Sequence, residues 1–263
     1  MISIIIPAHM EERRIGETLE AYGKFFHYVK EDVEIVVVIN NTRDRTEKVV
    51  QEYQKRFPFI RYLNFREGGK GFAIREGFRD VLRGDSSDNN LMGFVDADMA
   101  TTPEAFYDLI KNIGEYDGII ASRYVKGAVV NPKQSMKRII GSRVFNYLVR
   151  AMFMMNFHDT QCGCKLFKRE AIEKIIDDLS ITQWAFDVNL LYKMRKAGLN
   201  IKEHPTVWSD KEYGHLGGGD FLHSGIRMAL ACIRLRLINS PFKFVMDTYD
   251  MLPDWLKISL LLK

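Results

Sequence analysis

The chain has 263 residues, of which 46% are hydrophobic and 27% are charged, a composition typical of a globular domain. It contains no run of about 18 to 20 apolar residues and no charged leader before an apolar run, so we expect neither a membrane-spanning helix nor a signal peptide. The formal net charge is +4. Two acid-free stretches, 118–158 with seven basic residues and 221–243 with four, carry the whole positive excess, which predicts an anionic partner.

Predicted strands alternate with predicted helices through the first 125 residues. The strands are the apolar, β-branched runs at 2–6, 34–39, 60–65, 91–95 and 118–121, and the helices have apolar spacing at 13–29, 43–56, 71–82 and 103–113. This alternation is typical of βαβ units on a parallel sheet. Continuous apolar runs favour strands that are covered on both faces.

The pattern changes after residue 125. We predict a long basic and apolar helix at 135–156, a short strand at 165–167, helices at 169–178 and 184–197, a strand at 201–208 and a helical final stretch. No linker separates the two halves. We therefore predict one α/β domain at 1–215, with a mostly parallel, Rossmann-like sheet flanked by helices, and a C-terminal helical appendix at 216–263.

The three cysteines do not form a recognisable framework. Cys162 and Cys164 are two positions apart and Cys232 is remote, which matches neither a disulfide scaffold nor a four-ligand zinc site. We expect reduced, packed thiols, as in a protein of the cytosol or of the cytosolic face of a membrane.

Two carboxylates follow the fourth predicted strand. Asp96 and Asp98 are two residues apart, so in an extended chain their side chains point to the same side. Hard oxygen ligands of this kind suit Mg²⁺ or Mn²⁺ bridging a diphosphate. The alternative is a pair of solvated turn carboxylates or a cap for the helix at Pro103. Because the pair follows a buried strand, where an open sheet binds its ligands, we favour a site.

A glycine-rich turn follows the third predicted strand and precedes a helix. In Gly68–Gly69–Lys70–Gly71, the glycines let backbone N–H groups approach an anion, and Lys70 adds a cation. The spacing matches neither a Walker A loop nor a dinucleotide fingerprint. The turn, the two carboxylates and the polar end of the first strand together predict a nucleotide-diphosphate cleft with a divalent metal.

These segments resemble a known family. The segments IIIPAHMEE at 4–12, NNTRDRT at 40–46, GKG at 69–71, FVDAD at 94–98 and SRY at 122–124 resemble the successive motifs of family 2 glycosyltransferases of the GT-A fold. More narrowly, DTQCGCKLF at 159–167 and AFDVNLL at 185–191 resemble the dolichyl-phosphate glucosyltransferases and their mannose-transferring relatives. The resemblance covers roughly residues 1 to 210.

The resemblance implies a role for each matching position. The expected nucleotide-sugar-binding residues are Pro7, Ala8, His9, Glu11, Val38, Asn40, Lys70, Asp96, Ala97, Asp98, Arg123 and Lys211. Val38 and Asn40 would face the base, and Asp98, with Asp96, would hold Mg²⁺ or Mn²⁺. Arg123 and Arg138 would hold phosphates near the reaction centre. Lys211 and His215 lie in a segment that matches only loosely.

Three positions depart from the family pattern. Ile39 and Asn40 stand where an Asp-Asp pair is usual, which removes a charge, although an Asn amide can still accept a hydrogen bond from a base N–H. Met10 replaces a usual Asn. Ala100 stands where many mannose-type relatives have a metal-binding Gln, which favours the glucose-type branch.

The expected reaction is an inverting displacement at the anomeric carbon. A lipid phosphate acceptor is already anionic near pH 7, because its second pKa is about 6, so no strong base is required. Asp98 with its metal would stabilise the leaving diphosphate, while Arg123 and Arg138 would bind the acceptor phosphate. Asp159 and Asp187 are the alternative bases if the acceptor is a hydroxyl; otherwise they are helix caps or buried ion partners.

The resulting hypothesis is transfer of a hexose, first glucose from UDP-glucose, to dolichyl or polyprenyl phosphate. Alternatives are a GDP-mannose-dependent lipid-phosphate mannosyltransferase, a transferase to a glycolipid or polysaccharide hydroxyl, and a degenerate membrane-binding module. The segments 139–155, 226–238 and 255–262 combine apolar and basic residues as in membrane-interface helices, which predicts peripheral attachment at the cytoplasmic face. Nucleic acid is not an expected partner, because no nucleic-acid-binding motif accompanies the charge.

Overall fold

We describe the protein from a computed structural model, for residues 1–29, 31–84, 90–131, 136–179, 185–209 and 221–250. The strands are β1 (Ile2–Ala8), β2 (Val33–Asn40), β3 (Ile60–Phe65), β4 (Leu91–Val95), β5 (Gly118–Ser122), β6 (Val129–Val130), β7 (Cys164–Lys168), β8 (Ile201–Pro205) and β9 (Val207–Trp208). The helices are α1 (Ile15–Val29), α2 (Thr46–Arg56), α3 (Lys70–Arg83), α4 (Pro103–Asn112), α5 (Met136–Phe153), α6 (Arg169–Glu173), α7 (Phe186–Lys196), α8 (Phe221–Ile238) and α9 (Lys243–Asp250), with a 3₁₀ turn at Ile176–Asp178.

Seven strands form the central sheet in the order β3-β2-β1-β4-β7-β5-β8. All neighbours pair in parallel except β7, which runs antiparallel to both β4 and β5. The strand order reverses between β1 and β4, and an open sheet of this kind binds its ligand at that reversal. Because β7 is inverted, its first residue, Cys164, pairs with Val95 at the end of β4.

Both faces of the sheet are covered, which explains the continuous apolar runs of the strands. Side chains of β1 alternate between two cores: Ile4 and Ile6 pack with Leu19 of α1, whereas Ile5 packs with Phe78 of α3. The second core extends to α5 and α8 and includes Phe153. All three cysteines are buried free thiols, as predicted, and burial raises the pKa of Cys162 and Cys232 to about 12.

Two predicted elements are wrong in detail. The single strand predicted at 201–208 is divided: β8 belongs to the main sheet, whereas β9 pairs with β6 in a separate two-stranded ribbon. The predicted helix at 169–178 is interrupted after Glu173 and continues only as the 3₁₀ turn. The strand β6 was not predicted, because two residues are too short to show a period.

The C-terminal part packs on the sheet domain. Cys232 and Leu235 of α8 are fully buried in the same core as Val149 of α5. The boundary predicted at 215/216 lies outside the described residues and stays a prediction, as does the segment 255–262. Within the described ranges, no helix combines the length and the apolar character that crossing a bilayer requires.

Candidate active site

Polar side chains gather where the strands on either side of the order reversal end. The carboxyl ends of β1, β2, β4 and β5 lie at one edge of the sheet, and the inverted strand β7 begins at that same edge. The segment 159–163, which leads into β7, is therefore brought beside Asp96. We call this edge, with the segments 7–11, 68–71, 96–100, 122–124 and 159–165, the rim.

Lys70 and Asp96 form an ion pair at the centre of the rim. Nζ of Lys70 lies 2.6 Å from Oδ1 of Asp96, and each side chain is about one third exposed. Burial would lower the pKa of Lys70, but the nearby carboxylates of Asp96 and Asp187 raise it above its usual range. Lys70 begins α3 directly after Gly69, whose φ of 124° favours glycine. The loop therefore fixes the backbone from which a permanently charged side chain extends.

The Asp96 carboxylate packs directly against the backbone of Gly163. The backbone N–H of Asp96 donates to the carbonyl of Gly163 at 3.1 Å. A Cβ atom at position 163 would lie 1.8 Å from Oδ2 of Asp96, far inside contact distance. The glycine of the DTQCG segment is thus required by the position of the Asp96 carboxylate.

Asp98 and Asp96 are the rim residues that could hold a divalent cation. Oδ1 of Asp98 accepts a hydrogen bond from the N–H of Ala100 at 3.0 Å, and the side chain is half-buried. Among the described residues, no group of three or more His, Cys, Asp or Glu side chains forms a metal-ligand cluster. Two carboxylates suit a hard cation that takes its other oxygen ligands from water or from a nucleotide diphosphate. The donor set therefore fits Mg²⁺ or Mn²⁺ in an open site.

A second, fully buried ion pair lies behind the first. Nζ of Lys165, which is wholly inaccessible to solvent, lies 2.5 Å from Oδ1 of Asp187 and donates to the carbonyl of Cys162 at 2.6 Å. Burial would raise the pKa of Asp187, but Lys165 and Lys70 together lower it. The Nζ of Lys165 also lies 5.3 Å from the centre of the Phe94 ring. Lys165 thus links the segment before β7 to the first turn of α7.

Arg123, which follows β5, is held by Asp159. Its Nε and Nη2 donate to the two carboxylate oxygens at 2.7 Å and 2.9 Å, and its backbone N–H donates to Oδ2 at 3.0 Å. The guanidinium also lies over the rings of Trp208 and Tyr124, 5.2 Å and 5.4 Å from their centres. A fork-to-fork pair with stacked rings fixes the guanidinium in one orientation.

The two side chains predicted to face the base, those of Val38 and Asn40, are buried. Val38 is fully buried in the core beneath α3, against Gly77. Asn40 is 1% exposed; its Nδ2 donates to the carbonyl of Ala8, and its Oδ1 accepts from the N–H of Gly69. The prediction that Val38 and Asn40 face a base stays a prediction. The amide of Asn40 ties the end of β1 to the glycine-rich turn.

The first-strand segment is built around Glu11. Its carboxylate accepts from Nε and Nη2 of Arg14 at 2.7 Å and 2.5 Å, and its N–H donates to Thr46. His9 is exposed, and its Nδ1 lies 2.9 Å from the carbonyl oxygen of Asn40. Pro7 and Ala8 are buried at the end of β1. Of the predicted nucleoside-pocket residues, His9 is thus the one whose side chain is open to solvent.

Three non-glycine residues that follow strands at the carboxyl edge of the sheet have left-handed backbone conformations. Met10, Asn41 and Met99 have φ values of 55°, 43° and 58° and follow β1, β2 and β4 respectively. Methionine rarely adopts this conformation, and such strain concentrates at functional sites. At position 10 the family pattern has Asn, a residue that tolerates positive φ more easily than Met.

Comparison with known proteins assigns the family. A family model described as glycosyl transferase family 2 matches residues 3–176, about two thirds of the chain. The chain belongs to glycosyl transferase family 2. The match begins in β1, ends in the 3₁₀ turn and includes the whole rim, so the predicted membership is confirmed.

Curated relatives of this glycosyltransferase cover most of its length. A dolichyl-phosphate beta-glucosyltransferase of Dictyostelium discoideum is 32% identical over 250 residues, covering 89% of this chain and 73% of that protein. The Homo sapiens protein of that name is 29% identical over 226 residues, 80% of this chain and 68% of that protein. The glycosyltransferase AglD of Haloferax volcanii is 29% identical over 215 residues, and the chain spans one third of its length.

Solved structures share the fold of this glycosyltransferase. A Pyrobaculum calidifontis mannosyltransferase in complex with GDP-Man and Mn²⁺ aligns with a TM-score of 0.62 at 16% identity, covering 91% of this chain and 64% of that one. The Mycobacterium tuberculosis glucosyl-3-phosphoglycerate synthase in complex with UDP aligns with a TM-score of 0.63 at 14% identity, covering 90% and 80%. The predicted GT-A fold, a mostly parallel sheet flanked by helices, is confirmed.

The structure brings several predicted residues of this glycosyltransferase to one rim. Lys70, Asp96, Ala97, Asp98 and Arg123 lie at the rim. Arg138 lies in the first turn of α5, but its side chain is outside the described part of the structure, as are the whole of Lys211 and His215. Their roles stay predictions.

Sequence reasoning missed Lys165 and the purpose of Gly163. A signal for Lys165 was present, because a charged residue inside the apolar strand β7 must be buried unless the strand is an edge, and a buried lysine requires a partner. Gly163 offered no such signal, since its role depends on a side chain 67 positions away in the sequence.

Proposed function

We propose that this family 2 glycosyltransferase transfers glucose from UDP-glucose to dolichyl phosphate or a related polyprenyl phosphate. The names and coverage of the curated dolichyl-phosphate beta-glucosyltransferases support this acceptor and sugar. The proposal extends to a divalent cation, Mg²⁺ or Mn²⁺, at Asp96 and Asp98, and to peripheral attachment at the cytoplasmic face of a membrane.

The observation that carries the choice of acceptor is the state of the two candidate bases. Both carboxylate oxygens of Asp159 accept hydrogen bonds from Arg123, and Oδ1 of Asp187 accepts one from the buried ammonium of Lys165. A base that activates a hydroxyl needs a free oxygen within hydrogen-bond reach of the acceptor and a pKa near the working pH, whereas the pKa of Asp187 is lowered. An acceptor that already carries its negative charge needs no such base.

The side chains of the rim would then act by charge and position. Lys70, at the N-terminus of α3, is placed to attract the diphosphate of the donor. Arg123 is pre-oriented by Asp159 and by two aromatic rings, so little entropy is lost when it contacts a phosphate. A cation held by Asp98 and Asp96 would supply Lewis-acid stabilisation of the departing diphosphate. Arg138 would contribute a second guanidinium for the acceptor.

The outer face of α5 supports the membrane part of the proposal. Asn146, Val149 and Phe153 point into the protein, whereas Val144 and Tyr147 are 65% and 75% exposed. Further exposed apolar residues on or beside the helix are Met136, Ile140, Leu148 and Met154. Arg143, also exposed, lies on this helix. An apolar stripe with neighbouring cations is typical of a helix that lies in a membrane interface with anionic lipids.

The test is a transfer assay with purified protein. It combines UDP-glucose and dolichyl phosphate in detergent or vesicles, with Mn²⁺, with Mg²⁺ or with a chelator, and detects glucosylated lipid by mass spectrometry. We expect a product that depends on the cation and disappears in Asp98→Ala, with the melting temperature unchanged within a few degrees. Parallel reactions replace UDP-glucose with GDP-mannose, or the lipid phosphate with a glycolipid hydroxyl.

Each reaction has a distinct consequence. Product from GDP-mannose alone would assign the mannose-type branch and refute the sugar. Product only with the hydroxyl acceptor would refute the acceptor and restore Asp187 as a candidate base. No nucleotide release under any condition, from protein with a normal melting transition, would reduce the chain to a membrane-binding module. Retained activity in Asp98→Ala would refute the metal role.

A further inference from the structure

Lys70 lies between two carboxylates, that of Asp96 at the rim and that of Asp187 behind it. Its Nζ is 2.6 Å from Oδ1 of Asp96 and 3.9 Å from Oδ2 of Asp187. It also lies 5.8 Å from the centre of the Phe94 ring, the same ring that Lys165 approaches. A lysine side chain has four rotatable bonds, so a displacement of about 1 Å is within the reach of a small rotamer change.

Asp187 is arranged to receive a second cation. Lys165 occupies Oδ1 at 2.5 Å, and this leaves Oδ2 facing Lys70. Lys165 is itself anchored by the carbonyl of Cys162, so it cannot follow if Lys70 moves. The carboxylate is 7% exposed and sits in the first turn of α7, where its backbone is fixed. Asp187 thus has one carboxylate oxygen, Oδ2, that can accept a hydrogen bond from the neighbouring ammonium of Lys70.

The charge balance of the cluster shows when a move would be favourable. Lys70 and Lys165 face Asp96, Asp98 and Asp187, all of which interact electrostatically with Lys70, so the five groups sum to −1. A divalent cation at Asp96 would bring +2 next to an ammonium that already neutralises that carboxylate. Like charges in contact repel, so either the ammonium or the cation must give way.

We propose that Lys70 is a movable counter-ion: it neutralises Asp96 when no divalent cation is bound, and it transfers to Oδ2 of Asp187 when the cation binds. Asp187 is a positioning residue that receives the ammonium of Lys70. Lys165 keeps the Asp187 carboxylate in the orientation that this requires. The inference rests on the proposed cation site at Asp96 and Asp98. One consequence is that the cation alone binds weakly, because it must displace Lys70. A nucleotide diphosphate, which offers the ammonium and the cation a shared anion, would make binding tighter.

The experiment measures Mn²⁺ affinity by calorimetry or electron paramagnetic resonance, independently of turnover. Lys70→Met should bind Mn²⁺ without nucleotide about two- to fivefold more tightly than the wild type, the range expected for an ion pair that is one third exposed. Asp187→Asn keeps an oxygen for Lys165 but weakens the acceptor for Lys70, so Mn²⁺ affinity should fall about two- to fivefold. In the Lys70→Met background, Asp187→Asn should change the affinity less than about twofold.

The double-variant comparison separates the proposal from simple charge effects. If Asp187→Asn weakens Mn²⁺ binding equally in both backgrounds, the carboxylate acts directly through space and the movable counter-ion is refuted. Unchanged Mn²⁺ affinity in Lys70→Met refutes it as well. If instead neither the wild type nor Asp98→Ala binds Mn²⁺ even with UDP, the proposed cation site itself fails, which is a different result.

A structural measurement on the unmodified protein covers the case in which Asp187→Asn does not fold. In a crystal structure with Mn²⁺ and UDP, we expect Nζ of Lys70 within hydrogen-bond distance, about 3 Å, of Oδ2 of Asp187 and no longer in contact with Asp96. Lys70 still bonded to Asp96 beside a bound Mn²⁺ would overturn the proposal.

Discussion

Replacing Gly163 with alanine should misplace the Asp96 carboxylate while leaving the rest of the chain folded. The added Cβ would lie 1.8, 2.3 and 2.8 Å from Oδ2, Cγ and Oδ1 of Asp96, and these are its three nearest atoms. Real Cβ contacts below 3.0 Å essentially never occur, so the carboxylate must retreat by about 1.2 Å or more. Its contact with Lys70, 2.6 Å in the unmodified protein, would be strained, and the ammonium would have to shift to keep it.

The expected loss of activity follows from the size of the carboxylate's displacement. A misplacement of about 1 Å in a positioned catalytic group costs roughly 10²-fold in rate, so kcat/KM for the sugar nucleotide should fall about a hundredfold. The free energy of unfolding should fall by about 1–3 kcal/mol, as is usual for overpacking. Loss of the one-third-exposed Lys70–Asp96 pair contributes under about 1 kcal/mol of that.

Two measurements, steady-state kinetics and urea unfolding, test whether Gly163→Ala acts through Asp96. Both are repeated in a second background, Asp96→Gly. Without the Asp96 side chain, the added Cβ loses all three of its nearest neighbours, so Gly163→Ala should cost less than about 0.5 kcal/mol there. Gly16→Ala in α1 is the matched control, because its Cβ would meet only ordinary contacts at 3.5 Å. An equal cost of Gly163→Ala in both backgrounds would show that position 163 acts through something other than Asp96.

Three further changes address other parts of the molecule. Asp159→Asn breaks a buried two-point ion pair with Arg123. In urea titrations, the free energy of unfolding should fall by about 3–5 kcal/mol, and a loss below about 1 kcal/mol would contradict the pairing. Met10→Asn places a residue that tolerates positive φ at a half-exposed position with a left-handed backbone. Thermal unfolding should show that the free energy of unfolding rises by about 0.5–1 kcal/mol, and a decrease would contradict the strain. Tyr147→Asp should reduce flotation with anionic vesicles several-fold, whereas Tyr28→Asp, at an equally exposed position of α1, should not; equal losses would exclude α5 as the contact surface.

Much of the sheet was predictable because its signals are local. Continuous apolar runs mark strands covered on both faces, and β1 to β5 lie within one to two residues of the predicted bounds. Strand direction is not a local property. Nothing in the sequence of β7 indicates its direction. Only its antiparallel pairing, of Cys164 with Val95 in β4 and of Lys165 with Ile120 in β5, shows that it is inverted.

The rim was predictable to the extent that strand ends determine it. Asp96, Lys70 and Arg123 lie together there because residues that follow parallel strands reach the same edge, and their roles stay predictions. The orientation of Val38 and Asn40 was not predictable in this way, since it depends on which side of β2 faces α3 and on a hydrogen bond to Gly69. The pairing of Asp187 with Lys165 likewise depends on how α7 packs against the sheet.

The uneven charge has a different meaning once the structure is known. Arg123, one of the seven cations of the acid-free stretch, is neutralised by Asp159, the first residue beyond that stretch. Arg143 lies over the Tyr124 ring, 4.8 Å from its centre, and therefore stands near the rim as well as on the exposed helix α5. If the acceptor is a membrane lipid phosphate, as proposed above, a cation in that position would attract the phosphate toward the side of the site where Arg123 is fixed. Under that proposal these two cations of the acid-free stretch would act in sequence, because Arg143 would attract the acceptor and Arg123, oriented by Asp159, would contact its phosphate.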